Sequence, residues 1–92
     1  MSLRFTWDAK KAAANERKHR VSFAEAATAF ADPLSITVPD PEHSEGEERF
    51  LLLGLSHRGR LLVISHTERD DTIRLISARR ANRREQTAYE EA

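Results

Sequence analysis

Residues 48–78 read ERFLLLGLSHRGRLLVISHTERDDTIRLISA, and this stretch decides the fold. Three apolar runs, over 48–55, 61–67 and 72–78, are separated by short polar turns. Apolar runs of strand length that are separated by only a few turn residues are typical of β-hairpins. The sequence therefore predicts three antiparallel strands that form a meander.

The first strand of this meander is apolar on both faces. Arg49, Leu51 and Leu53 fall on one side of a pleated strand, and Phe50 and Leu52 fall on the other. A strand with apolar residues on both sides is usually covered on both sides. We therefore expect a helix or a partner protein to cover the second face of the sheet.

Upstream of the meander, the sequence predicts a strand over 34–38 and a polar loop over 39–47. Asp32-Pro33 ends the preceding helix, because proline disfavours helical backbone in the residue before it. That helix is predicted to begin at 22–25, where the residues SFAE have the form of a capping box. Its expected buried face consists of four apolar residues, Phe23, Ala26, Ala27 and Phe30.

The N-terminal part predicts a strand over 3–7 and a helix over 8–19 that Asp8 caps. One stripe of this helix holds the residues expected to face the core, Ala9, Ala12, Ala13 and Glu16. A last helix is predicted over 81–91. The resulting order is β-α-α-β-β-β-β-α. It predicts an α+β fold, with an antiparallel sheet and helices mainly on one face.

The composition limits the kinds of site that the chain can carry. With 92 residues, positions 1–92 are expected to form one domain. The chain has no cysteine for thiolate chemistry and too few glycines for a nucleotide-binding loop. The acidic loop around His43 lacks the ligand spacing of zinc and calcium motifs. We expect no metal and no cofactor. No apolar run is long enough to span a bilayer, so we expect a cytoplasmic protein without a membrane partner.

Positive charge is concentrated in arginines near the C-terminus, although the net charge is zero. The segment 74–84 holds five arginines and no acidic residue, whereas 40–48 holds five acids and neither lysine nor arginine. Guanidinium groups offer a planar fork of donors that matches phosphate geometry. The arginines of the basic segment are therefore candidates for binding RNA phosphates: Arg74, Arg79, Arg80, Arg83 and Arg84. Arg74 has an alternative role, in which it pairs with Glu68 or Asp71.

Cleavage of a phosphodiester also needs groups that transfer protons, and the four histidines are candidates. His19 lies in the last turn of the first predicted helix, where it is either such a group or a helix cap. His66 lies among apolar residues of a predicted strand, which indicates a satisfied core or surface histidine. His43 and His57 fall in loops, and the sequence assigns neither of them a role.

Several short motifs occur in an order and spacing that resemble the BrnT toxins. They are FTWD at 5–8, Lys18-His19, VSFAEA at 21–26, GEERF at 46–50 and ISARRA at 76–81, and they span nearly the whole chain. The resemblance implies a RelE-like ribonuclease fold in a bacterial type II toxin–antitoxin system, with translation arrest by metal-independent RNA cleavage. It also implies a BrnA-like antitoxin, which binds the operator DNA, in a complex with two copies of each chain.

Carried over residue by residue, the resemblance implies a catalytic set of Lys18, His19, Glu48, Arg49, Arg79 and Tyr89. In this set, Glu48 acts as a base or orients Arg49, and Arg79 holds the scissile phosphate. His19 and Arg79 also follow from the residues themselves, whereas Glu48 and Arg49 rest on the resemblance. The chain departs from the family at Arg20, where members commonly have a glycine at a left-handed helix end.

Two functions follow from these observations. The first is an RNA-cleaving toxin, and it expects Arg79 and His19 to converge in one pocket. The second is a binding module without catalysis, either a nucleic-acid binder or an inactive toxin that serves only as the partner of an antitoxin.

Overall fold

A computed structural model describes residues 3–92, and its elements follow the predicted order. They are β1 (Arg4–Thr6), α1 (Ala9–His19), α2 (Phe23–Thr28), β2 (Ile36–Pro39), β3 (Phe50–Leu55), β4 (Leu61–Arg69), β5 (Thr72–Arg80) and α3 (Arg83–Glu91). Short 3-10 turns follow α2 and precede β3. The predicted α+β class is confirmed.

The five strands form one sheet in the order β1-β5-β4-β3-β2. Strands β2 to β5 are antiparallel, as the short turns between them predict. β1 differs from the expected antiparallel sheet, because it pairs with β5 in parallel, with Phe5 opposite Ile73. Only strands joined by short turns are forced to run antiparallel, and most of the chain lies between β1 and β5.

The core lies on the face of the sheet that α1 and α2 cover. There, inward side chains of the three long strands pack against Val21 and Phe23 of the helical segment, and these strand residues include Leu52, Ile64, Leu75 and Ala78. α3 lies on the opposite face, where Glu85 and Ala88 border an apolar surface formed by β2, β3 and β4. Two of the three helices therefore share one face, and the last helix provides the expected cover for the second.

The predicted small-residue stripe of α1 is wrong at three of its four positions, since only Ala12 packs against the core. Ala9, Ala13 and Glu16 are exposed, and the buried residue of this helix is Asn15. The Asn15 side chain donates to the carbonyl oxygens of Val21 (3.0 Å) and Ala78 (2.9 Å), and it accepts from the amide of Ala78 (3.0 Å). β1 pairs only with Thr72 to Arg74, so this side chain satisfies backbone groups of β5 beyond the end of β1. The prediction selected small residues of α1 for the core, and it therefore missed the polar contact that Asn15 makes.

The predicted capping box at the start of α2 is present only in part. The Ser22 hydroxyl accepts from the Glu25 amide (3.0 Å) as expected. The Glu25 carboxylate does not return to the helix start, because it accepts hydrogen bonds from Arg60 and from the Ser56 hydroxyl (2.7 Å). These bonds outweigh burial and lower the pKa of Glu25 to about 2, the bonds from Arg60 having the largest effect. A buried carboxylate thus joins α2 to the β3–β4 turn.

Arg20 ends α1 in the left-handed conformation that the resemblance indicates, with φ 60° and ψ 30°. A residue with a Cβ atom is strained there by about 1 kcal/mol or more, whereas glycine is not. We expect Arg20→Gly to raise the free energy of unfolding by about 1 kcal/mol, measured by urea denaturation. Arg20→Ala keeps the strain and is the control. Equal stabilities of the two variants would contradict this account.

Candidate functional site

A groove opens on the face of the sheet that α3 covers only in part, and we call it the central groove. Its volume is about 390 Å³. The groove combines two guanidinium groups, an imidazole, two carboxylates and two hydroxyls, and its lining consists of Asp40, Glu42, His43, Arg49, Leu51, Ser65, Ile76, Ser77 and Arg79. Of the predicted catalytic residues, Arg49 and Arg79 are the two that it brings together.

A β-bulge determines that Arg79 faces this groove. Ser77 pairs with Ser65 and Leu75 pairs with the next residue of β4, so Ile76 is an extra residue in β5. Arg74 and Arg79 are five positions apart, and a regular strand would place them on opposite faces. The bulge corrects the alternation and places both arginines on the open face.

Arg79 is held by Glu85, which lies in the first turn of α3. Two nitrogens of the guanidinium group donate to the two carboxylate oxygens, each at 2.8 Å. These hydrogen bonds raise the pKa of Arg79 and lower the pKa of Glu85, and both effects exceed the opposing effect of burial. The side chain of Arg79 is 41% exposed, so a phosphate can reach it. A phosphate offers the same pair of acceptor oxygens as the carboxylate.

His43 and Asp40 form a second polar pair at the edge of the groove. The Nδ1 atom of His43 lies 2.9 Å from a carboxylate oxygen of Asp40. A carboxylate only accepts hydrogen bonds, so it favours a proton on Nδ1 and leaves Nε2 to exchange a proton with a ligand. The loop is fixed to the start of β3, because Ser44 Oγ accepts from the Arg49 amide (2.9 Å).

The structure does not bring His19 and Arg79 together, contrary to the expectation from the sequence. His19 and Lys18 lie in the last turn of α1, on the face that α1 covers. Arg79 follows Ala78, whose side chain occupies the core, and therefore faces α3 on the other side of the sheet. Alternation along β5 thus separates two residues that the cleavage hypothesis had placed in one pocket.

The two other predicted catalytic residues lie outside the lining of the groove. Glu48 is exposed just before β3. Tyr89 of α3 donates from its hydroxyl to Asp32 (2.6 Å), and the same carboxylate oxygen accepts from the Leu55 amide (2.8 Å). The hydrogen bond with Asp32 raises the pKa of Tyr89. Tyr89 therefore attaches α3 to the end of β3.

The predicted phosphate-binding arginines are spread over the surface. Arg74 pairs with Glu47, and neither Glu68 nor Asp71 is its partner. Side chains along β4 point alternately to the two faces of the sheet, and Glu68 lies opposite Ile73 on the core side, where it binds His66. Arg74 lies on the other face. Three further arginines are exposed, Arg80 at the end of β5 and Arg83 and Arg84 in α3.

The remaining histidines have structural contacts. His66 is fully buried against Phe30 and Phe50, and its Nε2 atom lies 2.9 Å from Glu68, so it is a satisfied core histidine. His57 contacts the Thr28 hydroxyl at the β3–β4 turn. The sequence assigned His43 no role, although its spacing of three residues from Asp40 was a signal for the pair.

Residues 3–92 contain neither a cluster of metal-ligating side chains nor a helix suited to cross a membrane. No group of three or more histidine, aspartate or glutamate side chains lies together as the ligands of a metal ion would. Of the helices in this part of the chain, none combines the length and apolar character that crossing a membrane requires.

Comparison with known proteins identifies one family and one fold. Residues 7–85 match the family described as ribonuclease toxin, BrnT, of type II toxin–antitoxin systems. The fold is similar to that of the Brucella abortus ribonuclease toxin BrnT, whose crystal structure was determined at 1.1 Å resolution. The TM-score is 0.68 at 18% sequence identity, over 89% of this chain and 100% of that chain. No curated protein sequence matches the chain.

Proposed function

The chain belongs to the BrnT family of ribonuclease toxins of type II toxin–antitoxin systems, and from this premise we propose that it cleaves RNA in the central groove. One observation carries the proposal. Arg49, Arg79 and the His43–Asp40 pair line the same groove, which supports the proposal because guanidinium groups suit phosphate and an imidazole suits proton transfer.

The arginines supply the positive charge that the reaction needs. Attack on a phosphodiester increases the negative charge on the phosphate oxygens, and donors fixed near those oxygens lower the barrier. Arg79 is already held in a bidentate geometry by Glu85, and Arg49 lies in the same groove. In this proposal the two guanidinium groups take the place of a metal ion on the phosphate.

His43 is the proposed base. Its neutral Nε2 atom accepts the proton of the 2′-hydroxyl, the 2′-oxygen bonds to phosphorus, and the bond from phosphorus to the 5′-oxygen breaks. The leaving oxygen takes a proton from water. The products are a 2′,3′-cyclic phosphate and a 5′-hydroxyl. We assign this role to His43, and not to His19, because His43 lines the groove with Arg49 and Arg79.

His43→Asn is expected to lower the rate of RNA cleavage about 100-fold, because the variant lacks the proton acceptor. Asp40→Asn is expected to have a smaller effect, since the imidazole remains but loses the carboxylate that fixes its tautomer. The measurement is cleavage of a fluorogenic RNA by purified protein in excess chelator. His57→Asn is the matched control, because His57 lies at the β3–β4 turn. Equal rates for the His43 and His57 variants would exclude His43 as the base.

We further propose that a protein antitoxin, similar to BrnA, neutralises the chain in a complex with two copies of each. In this proposal the protein acts in the cytoplasm, arrests translation, and contacts operator DNA only through its antitoxin. Growth after induction, with and without the neighbouring antitoxin gene, tests the pairing. Growth arrest that the neighbouring gene does not relieve would contradict it.

One observation favours the second candidate function, a toxin-like protein that binds without cleaving. Arg79 is engaged by Glu85, so the groove has no unpaired guanidinium at this position. An inactive chain would bind RNA with a strong dependence on salt, because phosphate contacts release counterions, and would leave the RNA intact. Binding of RNA in a titration, together with no cleavage in the fluorogenic assay, would support this candidate over the first.

A further inference from the structure

A second basic cavity lies on the same open face, at the end of the sheet where β1 pairs with β5. Its volume is about 300 Å³, and its charged lining consists of three arginines, Arg4, Arg69 and Arg74, and two acidic residues, Glu47 and Asp70. Within residues 3–92, Arg74 pairs with Glu47, whereas neither Arg4 nor Arg69 forms an ion pair. Two guanidinium groups in this cavity are therefore available to an anion.

The strand register joins this cavity to the central groove. Arg4 lies opposite Thr72 and Thr67 lies opposite Arg74, which places these side chains on one face. Along β5, the bulge keeps Arg79 on that same face, five residues beyond Arg74. At the rise of an extended strand, this separation is about 16 Å. The open face thus presents two sites that contain arginines along one line.

We propose that Arg4, Arg69 and Arg74 form a second phosphate subsite for a single-stranded RNA whose scissile phosphate lies in the central groove. This inference rests on the proposed function, since it extends the same substrate. A flexible strand can follow a line of cations along a sheet, whereas a duplex presents its phosphates on a rigid curved surface. Thr6 and Thr72 line the cavity as well and add hydroxyl donors.

The subsite contacts the backbone of the RNA and does not distinguish bases. None of the side chains that line this cavity in the described part of the chain is aromatic, so no ring is available for base stacking. Contacts to phosphate fix the position of a strand but carry no sequence information. Binding at this subsite is therefore equal for uridine and adenosine oligomers.

The test compares the double variant Arg4→Ala/Arg69→Ala with wild type. The probe is a fluorescent single-stranded 2′-O-methyl RNA of about twelve nucleotides, which has no free 2′-hydroxyl and is long enough for both sites. We expect roughly fivefold weaker binding for uridine and adenosine probes alike, as for two exposed ion pairs. The slope of log affinity against log salt should fall by about 1.4, or about 0.7 for each lost phosphate contact.

Lys11→Ala/Arg17→Ala is the matched control, because it removes the same charge from exposed positions of α1. Binding of the double variant equal to that of this control would overturn the subsite. Tighter binding of duplex RNA that depends on the same two arginines would overturn the single-strand assignment. If the double variant loses binding and the wild-type protein does not cleave RNA, the subsite is retained and the proposed function is rejected.

Discussion

Arg79→Ala is expected to lower the rate of RNA cleavage at least about 100-fold, because removing one fixed donor from a developing oxyanion has an effect of that size. The fold should change little. The Arg79–Glu85 pair is partly exposed, and pairs of this kind contribute about 1 kcal/mol or less. The thermal midpoint should therefore stay within about 8 °C of the wild-type value. Cleavage in excess chelator and differential scanning calorimetry measure the two effects.

Glu85→Gln separates binding of phosphate from attachment of α3. The variant weakens the ion pair that holds α3 but keeps the Arg79 guanidinium for the substrate. If Arg79 binds phosphate, Glu85→Gln retains activity and Arg79→Ala does not. If Arg79 only holds α3, both variants lose activity to the same extent, and the assignment of Arg79 is wrong. In exposed positions of α1, Arg17→Ala controls for the positive charge lost in Arg79→Ala, and Glu16→Gln controls for the negative charge lost in Glu85→Gln.

Glu25→Ala is expected to lower the free energy of unfolding by about 3 to 5 kcal/mol, the range found when one partner of a buried ion pair is removed. The side chains of Glu25 and Arg60 are 3% and 19% exposed. The variant leaves Arg60 without its carboxylate partner and also removes an acceptor of the Ser56 hydroxyl. For a chain of this length, the thermal midpoint should fall by roughly 15 to 30 °C.

The pH dependence of stability gives an independent measure of the same carboxylate. The pKa of Glu25 is about 2 in the folded protein and about 4.3 in an unfolded chain. The contribution of Glu25 to the free energy of unfolding is roughly 3 kcal/mol at most. It is fully present above the pKa of the unfolded chain, and it is lost as pH falls from about 4.3 to about 2. Glu25→Ala should lack this part of the acid transition, whereas Glu16→Ala, in an exposed position of α1, should retain it. Identical acid profiles for the two variants would contradict the assignment.

The elements that the sequence predicts best are those determined by neighbouring residues. Short turns and apolar runs predict β3, β4 and β5 and their antiparallel order, and Asp8 and Ser22 mark the starts of two helices correctly. The partner of β1 was not predictable in this way, since its pairing with β5 joins residues about seventy positions apart. The Asn15 contact with Ala78 was missed for the same reason.

The candidate site was predicted only in part, because its geometry depends on the faces of the strands. Arginine content and family resemblance point to Arg79 and Arg49, and the structure brings both into the central groove. His19 was placed with them because its chemistry is suitable, but α1 covers the other face. His43 lines the groove because its loop folds toward the start of β3. The conformation of a loop cannot be predicted from hydrophobic periodicity.

Ile76 shows how β5 can tolerate a change of length. An in-frame deletion at this position would leave every charged residue in place and make the last strand regular. Arg74 and Arg79 would then be separated by an even four positions, so Arg79 would still face the groove and Ala78 would still face the core. A natural relative one residue shorter here would therefore keep both arginines on one face. The spacing of these two arginines, four or five positions, would show whether the last strand of such a relative is regular or bulged.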